Sequence, residues 1–261
     1  MTTHNAPLVS FFGLLRSFAI YWRPGRQPGL RRFYAPFVAP GDLVFDIGAH
    51  LGDRTVAFHA LGATVVAIEP QPRVARWLRR LVRHRAGVVV RELAVGSTAG
   101  RARLAVSAAH PSVSSTSAAW RERITTTNPG FRRVCWGDSV EVVMMDLDGL
   151  IRQYGAPAFC KIDVEGAESG VLAGLREPLA ALSFEFVAGA LAEARACVAR
   201  LAALGSYRFN VVAGEARRFR WEGWREPDAV DAWLADAADG LASGDIYACR
   251  RGSRAAAAVG A

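Results

Sequence analysis

Two short apolar runs, Leu43–Ile47 and Thr64–Ile68, each end at a turn and each lead into a segment with helical apolar spacing. Behind the first, Ala57, Ala60 and Leu61 share one helical face. Behind the second, Val74, Trp77, Leu78 and Leu81 recur at i, i+3, i+4, i+7, with Arg73, Arg76, Arg79, Arg80 and Arg83 opposite. A strand that feeds an amphipathic helix and then a second strand returns to the same sheet by a right-handed crossover. Consecutive units of this kind therefore specify a parallel sheet with helices packed on it. Residues 88–95 supply a third strand, and residues 140–145, 159–164, 182–187, 207–212 and 246–249 continue the pattern. Helical faces lie between them at Glu168, Val171, Leu172 and Leu175, and at Ala194, Cys197, Val198 and Leu201. The expected class is α/β, Rossmann-like, with helices on both faces of the sheet.

A chain of 261 residues fits one sizeable core rather than two catalytic domains. Residues 1–40 read as an N-terminal amphipathic helix, carrying Phe11, Leu14, Leu15, Phe18 and Trp22 at helical spacing, and a basic, turn-rich linker over 24–32. That helix is expected to pack on the core, with a membrane surface or a partner helix as the alternative. Residues 41–250 form the main domain, in which 214–244 is an insertion with Pro227 at the first turn of a helix. Residues 96–137, rich in Ser, Thr, Pro and Gly, are expected to hold a short hairpin and a long loop, and long loops inside compact domains are commonly functional. Residues 251–261 read as a disordered tail.

The formal net charge is +8, and lysine is almost absent. Such a surface attracts nucleic acid or anionic membrane, but a merely solvated basic surface is the preferred reading. The four cysteines, Cys135, Cys160, Cys197 and Cys249, lack the paired spacing of a zinc site or redox dithiol, so reduced thiols in the cytoplasm are expected. The apolar stretch over 10–22 is broken by Arg16 and closed by Arg23; it is too short to span a bilayer and lacks a signal-peptide cleavage pattern.

Three elements carry chemistry. Asp46-Ile47-Gly48-Ala49-His50-Leu51-Gly52 sits directly after a buried strand and before a helix. Ligands of open α/β sheets collect at the carboxyl ends of strands, and glycine lets backbone approach them closely. The spacing is not that of a pyrophosphate cradle and no Walker lysine follows, so dinucleotides and ATP are disfavoured. Glu69, at the end of the next strand, is placed to accept both hydroxyls of a ribose. The third element, Lys161 to Glu168, leaves a strand whose period of two puts Lys161, Asp163 and Glu165 on one face. Burying three charges is costly unless they pair or work, which marks them as catalytic candidates. Glu168, in the first turn of a helix, reads as structural.

With these elements in this order, the stretch from Leu43 to Glu185 resembles the FkbM family of O-methyltransferases. Val44-Phe45-Asp46-Ile47-Gly48-Ala49, Ala67-Ile68-Glu69-Pro70 and Lys161-Ile162-Asp163-Val164-Glu165-Gly166-Ala167-Glu168 are similar to the family's hallmarks, with weaker similarity at Leu93-Ala94-Val95-Gly96. The resemblance implies a seven-stranded sheet of the class I methyltransferase type, S-adenosylmethionine as donor, and transfer to a hydroxyl of a sugar, glycan or secondary metabolite. It further implies that Asp46, Gly48 and Gly52, with Ala49 and His50, line the methionine side of the donor. Glu69 and Pro70 then lie at the ribose, and Ala94 and Val95 near the adenine. His50 stands where the family more often has asparagine.

The general base is expected to be Asp163 or Glu165, with Lys161 fixing the carboxylates or steadying the developing oxyanion. His110 is an alternative base, and a divalent cation on Asp146, Asp163 and Glu165 is a competing arrangement; the adopted reading has no metal. Nucleic acid is disfavoured as acceptor, because the place of an Asn/Asp-Pro-Pro-aromatic motif holds Asp163-Val164-Glu165-Gly166, and Asn128-Pro129-Gly130-Phe131 reads as a turn. A non-catalytic binding module on the same fold is the remaining alternative.

Overall fold

A computed structural model describes residues 6–261, with side chains described from residue 12. The core is a seven-stranded sheet built from β1 (Leu43–Ile47), β2 (Thr64–Ile68), β3 (Val88–Arg91), β7 (Phe159–Ile162), β8 (Ala181–Val187), β9 (Tyr207–Ala213) and β10 (Ser243–Arg250), in the order β3-β2-β1-β7-β8-β10-β9. All neighbours are parallel except β10, which runs antiparallel to β8 and β9. Strands leave β1 towards β2 and β3 on one side, while β7 leads to β8 on the other. The β1/β7 seam is therefore the topological switch point, where a crevice opens at the carboxyl ends.

One face of the sheet, with Phe45, Ile47, Ile162 and Phe184, packs against α7 (Glu168–Ala173), α8 (Leu191–Leu204) and α9 (Pro227–Ala235). The other, with Val44, Val65, Phe159 and Tyr247, packs against α2 (Arg26–Tyr34), α3 (Asp53–Ala60) and α10 (Arg254–Val259). α4 (Pro72–Val82) presents Leu78 and Val82 to Ala67, and its arginines face outward as the stripe required. In α9, Pro227 occupies the first turn and Val230, Trp233 and Leu234 are buried, so the expected insertion contributes to the main core.

Several local expectations are corrected. Residues 88–95 do not form one strand. β3 ends at Arg91, and β4 (Ala94–Gly96) leaves the main sheet to pair in parallel with β6 (Asp138–Asp146). β5 (Gly100–Val106) completes this separate three-stranded sheet from the other side of β6, so the strand expected over 140–145 lies outside the main sheet. The long loop contains α5 (Ala118–Thr127), whose N-terminus Ser117 caps by accepting from Trp120 N at 3.2 Å. Asn128 to Phe131 makes the expected turn, with Asn128 Oδ1 accepting from Gly130 N.

The linker over 24–32 is largely helical, because Leu30 and Tyr34 find a buried aromatic cluster and Arg26 finds Asp53. The tail is likewise ordered rather than disordered. Ser253 caps α10, Ala255 and Ala256 are buried, Arg254 pairs with Asp42, and Trp224 Nε1 donates to Val259 O at 3.1 Å. Ahead of the sheet, α1 (Ala6–Tyr21) packs Leu14 and Phe18 against Leu51, Val74 and Trp77, as the core-packing reading required. Among the described residues no helix is long and apolar enough to cross a membrane, and all four cysteines are unpaired.

Candidate functional site

At the switch point β1 delivers Asp46 and a left-handed turn. Gly48 has φ +80°, and a Cβ there would lie 1.7 Å from the Asp163 carbonyl oxygen, so the turn requires glycine for the close passage of the chain leaving β7. The amides of Gly48 and Ala49 both donate to Ile68 O at 2.9 Å, tying the turn to the end of β2. From there Glu69 reaches back: its carboxylate accepts from His50 N at 3.0 Å and from Gln71 N at 2.9 Å. Each oxygen thus has one backbone donor and a free lone pair. Burial raises the Glu69 pKa to about 7 against the pull of those two amides.

These groups line a single pocket holding about 1130 Å³ of space including its mouth. Asp46, Gly48, Ala49, His50, Glu69, Pro70, Ala94, Val95, Lys161, Asp163 and Glu165 all lie on its wall. Gly52 does not. It precedes α3 and presses on Leu78, where an added Cβ would stand 2.4 Å from Cδ1. Asp46 is buried and accepts from Thr55 Oγ1 at 2.5 Å. Both ring nitrogens of His50 are cut off from solvent and without a partner, the ring lies 5.2 Å from that of Tyr21, and burial lowers its pKa to about 4. A neutral imidazole has one N–H to donate.

On the β7 side, Lys161 Nζ donates to Asp163 Oδ2 at 2.6 Å. Lys161 is the chain's only lysine and is fully buried. Burial opposes the Asp163 charge, but Lys161 and then Arg54 outweigh it and hold the carboxyl below its usual range. Glu165 follows in a left-handed conformation, φ +55°, before Gly166 at +85°. A Cβ on Gly166 would meet the Trp120 ring at 2.0 Å, so α5 is seated directly on this turn. Burial, then Asp163 and Glu168, push Glu165 well above the usual carboxylate range. Glu168 Oε1 accepts from Val164 N at 2.9 Å and closes the turn, the structural role read from its position.

Two residues of the alternative readings stand elsewhere. Asp146 is not on the pocket wall: it caps α6 (Leu147–Tyr154), its Oδ1 accepting from Gly149 N at 2.6 Å. The carboxylate that meets Asp163 and Glu165 is instead Glu185 of β8, with oxygens of all three within 4.8 Å of one another. His110 is also off the wall, although its neighbours Ser112 and Ser114 are on it. The sequence reading missed Glu185, Asp245, Tyr21, Arg54 and Glu215. An acid set between Phe184 and Phe186 in a buried strand was the available signal for Glu185.

The donor set suits S-adenosylmethionine: a buried carboxylate with free lone pairs, an unpartnered imidazole and a glycine turn meet in one cavity. Residues 46–241 match the family model described as the methyltransferase FkbM domain. A curated protein from Streptomyces tacrolimicus, 31-O-demethyl-FK506 methyltransferase FkbM, is 33% identical over 162 residues, a match covering 53% of this chain and 61% of that protein's length. Among solved structures, the chain is similar to a TehB-like methyltransferase from Corynebacterium glutamicum, with TM-score 0.45 and 10% identity over 90% of this chain and 97% of the other. It is also similar to Aeropyrum pernix fibrillarin with S-adenosyl-L-methionine bound, with TM-score 0.43 and 13% identity over 81% and 68% of the two chains.

Proposed function

The chain belongs to the FkbM family of S-adenosylmethionine-dependent methyltransferases, and from that premise we propose that it methylates a hydroxyl oxygen of a sugar, glycan or secondary metabolite. The observation carrying this reading is the Lys161–Asp163 pair beside the glycine turn. It keeps a carboxylate ionised where a hydroxyl must lose its proton. The curated relative's name, which specifies a 31-O-demethyl substrate, points the same way.

When bound, S-adenosylmethionine supplies a methyl group on a sulfonium that departs as a neutral thioether. Glu69 would hold the ribose hydroxyls, with Pro70 beside it, and Ala94 and Val95 would lie near the adenine. Asp46, Gly48, Ala49 and His50 would border the methionine part, His50 as a neutral donor. Asp163 accepts the acceptor's proton as the new C–O bond forms, while Lys161 fixes the carboxylate and tempers the charge on the oxygen. Alignment of the two reactants supplies much of the acceleration, up to about 7–11 kcal/mol in the best intramolecular models.

Two measurements test this. Titration calorimetry should show S-adenosylhomocysteine binding, weakened by about 1.5–3 kcal/mol in Glu69→Ala; unchanged affinity removes Glu69 from the site. Asp163→Asn should bind donor normally and lose about 10²-fold or more in turnover. An equal kcat loss in Glu165→Gln, with Asp163→Asn near normal, moves the base to Glu165.

A further inference from the structure

The protein is basic overall, yet among the residues lining the pocket eight are Asp or Glu and two are Arg or Lys. Both cations are already engaged. Lys161 donates to Asp163, and Arg54 donates to Glu215 at 2.9 Å and lies 3.7 Å from Asp53. Among the described residues no cation is paired with Glu165 or Glu185, which converge with Asp163 on the far side of the pocket. Glu185 Oε2 is cut off from solvent and has no hydrogen-bond partner. A buried carboxyl oxygen left without a partner is costly unless a ligand satisfies it. This far side is formed by β7, β8 and β10, across the β1/β7 seam from Glu69 and Ala94, so it is the acceptor side of the proposed reaction.

We propose that the acceptor carries a protonated amine beside the hydroxyl that is methylated, as in an amino sugar or amino alcohol, with Glu165 and Glu185 binding the ammonium group and Asp163 facing the hydroxyl. This rests on the methyltransferase reading above. An ammonium group offers three donors in a tetrahedral fan. At charge-assisted distances near 2.8 Å, acceptors on two of its N–H bonds stand about 4.6 Å apart, within the spread of the three carboxylates. Burial pushes both Glu165 and Glu185 well above the usual carboxylate range, helped by Asp163 and Glu168 at Glu165 and by Glu165 and Asp163 at Glu185, and a cation between them restores their charge. A phosphate or carboxylate on the acceptor meets only repulsion here, so anionic acceptors are excluded by the same wall.

Because Lys161 is the only lysine, lysine labelled with ¹⁵N at Nζ alone gives a single NMR signal beside the carboxylates. In S-adenosylhomocysteine-loaded protein, glucosamine and 2-aminoethanol should shift that signal saturably. Glucosamine should bind about 10-fold or more tightly than neutral N-acetylglucosamine, and glucose 6-phosphate should leave the signal unmoved. Glu185→Gln should abolish the preference for the amine while keeping S-adenosylhomocysteine affinity, and Glu185→Asp should retain it. Equal binding of the two sugars, or no shift with either amine, overturns the proposal. So does saturable Mg²⁺ binding that Glu185→Gln removes, which puts a metal ion where the amine is assigned. Failure of S-adenosylhomocysteine itself to bind marks failure of the underlying reading instead.

Discussion

Adding one methyl group at Gly48 sets the side chain 1.7 Å from the Asp163 carbonyl oxygen, at a φ of +80°. Neither contact partner is a flexible side chain, so the β1/β7 seam must open. Gly48→Ala is expected to cost about 2–4 kcal/mol in chemical denaturation and to abolish S-adenosylhomocysteine binding. Glu69 gives a pH signature. Its folded pKa, raised by burial to about 7 from 4.5, lies above the unfolded value, so its contribution to stability is fully present below about 4.5 and is lost as pH rises through 7. On the proposed assignment donor affinity moves the other way, because an ionised Glu69 would accept two ribose hydroxyls. Calorimetry from pH 5.5 to 8.5 should show affinity rising across about pH 7, and Glu69→Gln should flatten that rise. Glu69, Lys161, Asp163 and Glu165 were legible in the sequence because charge at the end of an apolar run has few structural uses. Gly52 misled, since a glycine pressed on Leu78 looks the same in sequence as one facing a ligand. Glu185 and Asp245 stayed hidden because their relevance depends on which strands become neighbours.

The βα units of the main sheet follow from local periodicity, and they were readable for that reason. The parts that were not readable form only through distant partners: α2 needs Asp53 and the aromatic cluster, α10 needs Asp42 and Trp224, and β4 needs β6. α5 is the clearest case. Its own amphipathicity is weak, and it is held by Trp120, which is 1% exposed and rests on Gly166. The segment before it is also anchored, since Gln71 Nε2 donates to Pro111 O at 2.8 Å next to Glu69. One segment therefore touches both Gln71, which donates to Glu69, and the Glu165 turn. Trp120→Ala should cost about 3–5 kcal/mol if the whole fold shares the loss. If α5 opens as a separate unit, hydrogen exchange should instead rise across 108–137 while the amides of β1 and β7 keep their protection. Either outcome is expected to reduce turnover, and wild-type exchange at residues 108–137 in this variant would show that Trp120 does not hold the segment down.

At the scale of the molecule, the net charge of +8 and the acid-rich pocket wall are two separate electrostatic facts. The arginines of α4 point away from the sheet and those of the C-terminal segment lie on the surface, whereas the pocket's two cations are paired internally. A polyanion is therefore attracted to the exterior and rejected from the interior. Binding of a labelled RNA oligonucleotide should weaken steeply with salt, as release of condensed counterions requires. It should leave the dissociation constant of S-adenosylhomocysteine unchanged, because the two ligands meet different parts of the protein. Competition between them, or ribonuclease-sensitive methyl label in RNA after incubation with methyl-labelled donor, would show that the basic surface feeds the pocket and would reverse the reading of a sugar, glycan or metabolite acceptor. The expected result is additive binding with no label in RNA, since a phosphate brought to Asp163, Glu165 and Glu185 meets three carboxylates and no free cation among the residues lining the pocket.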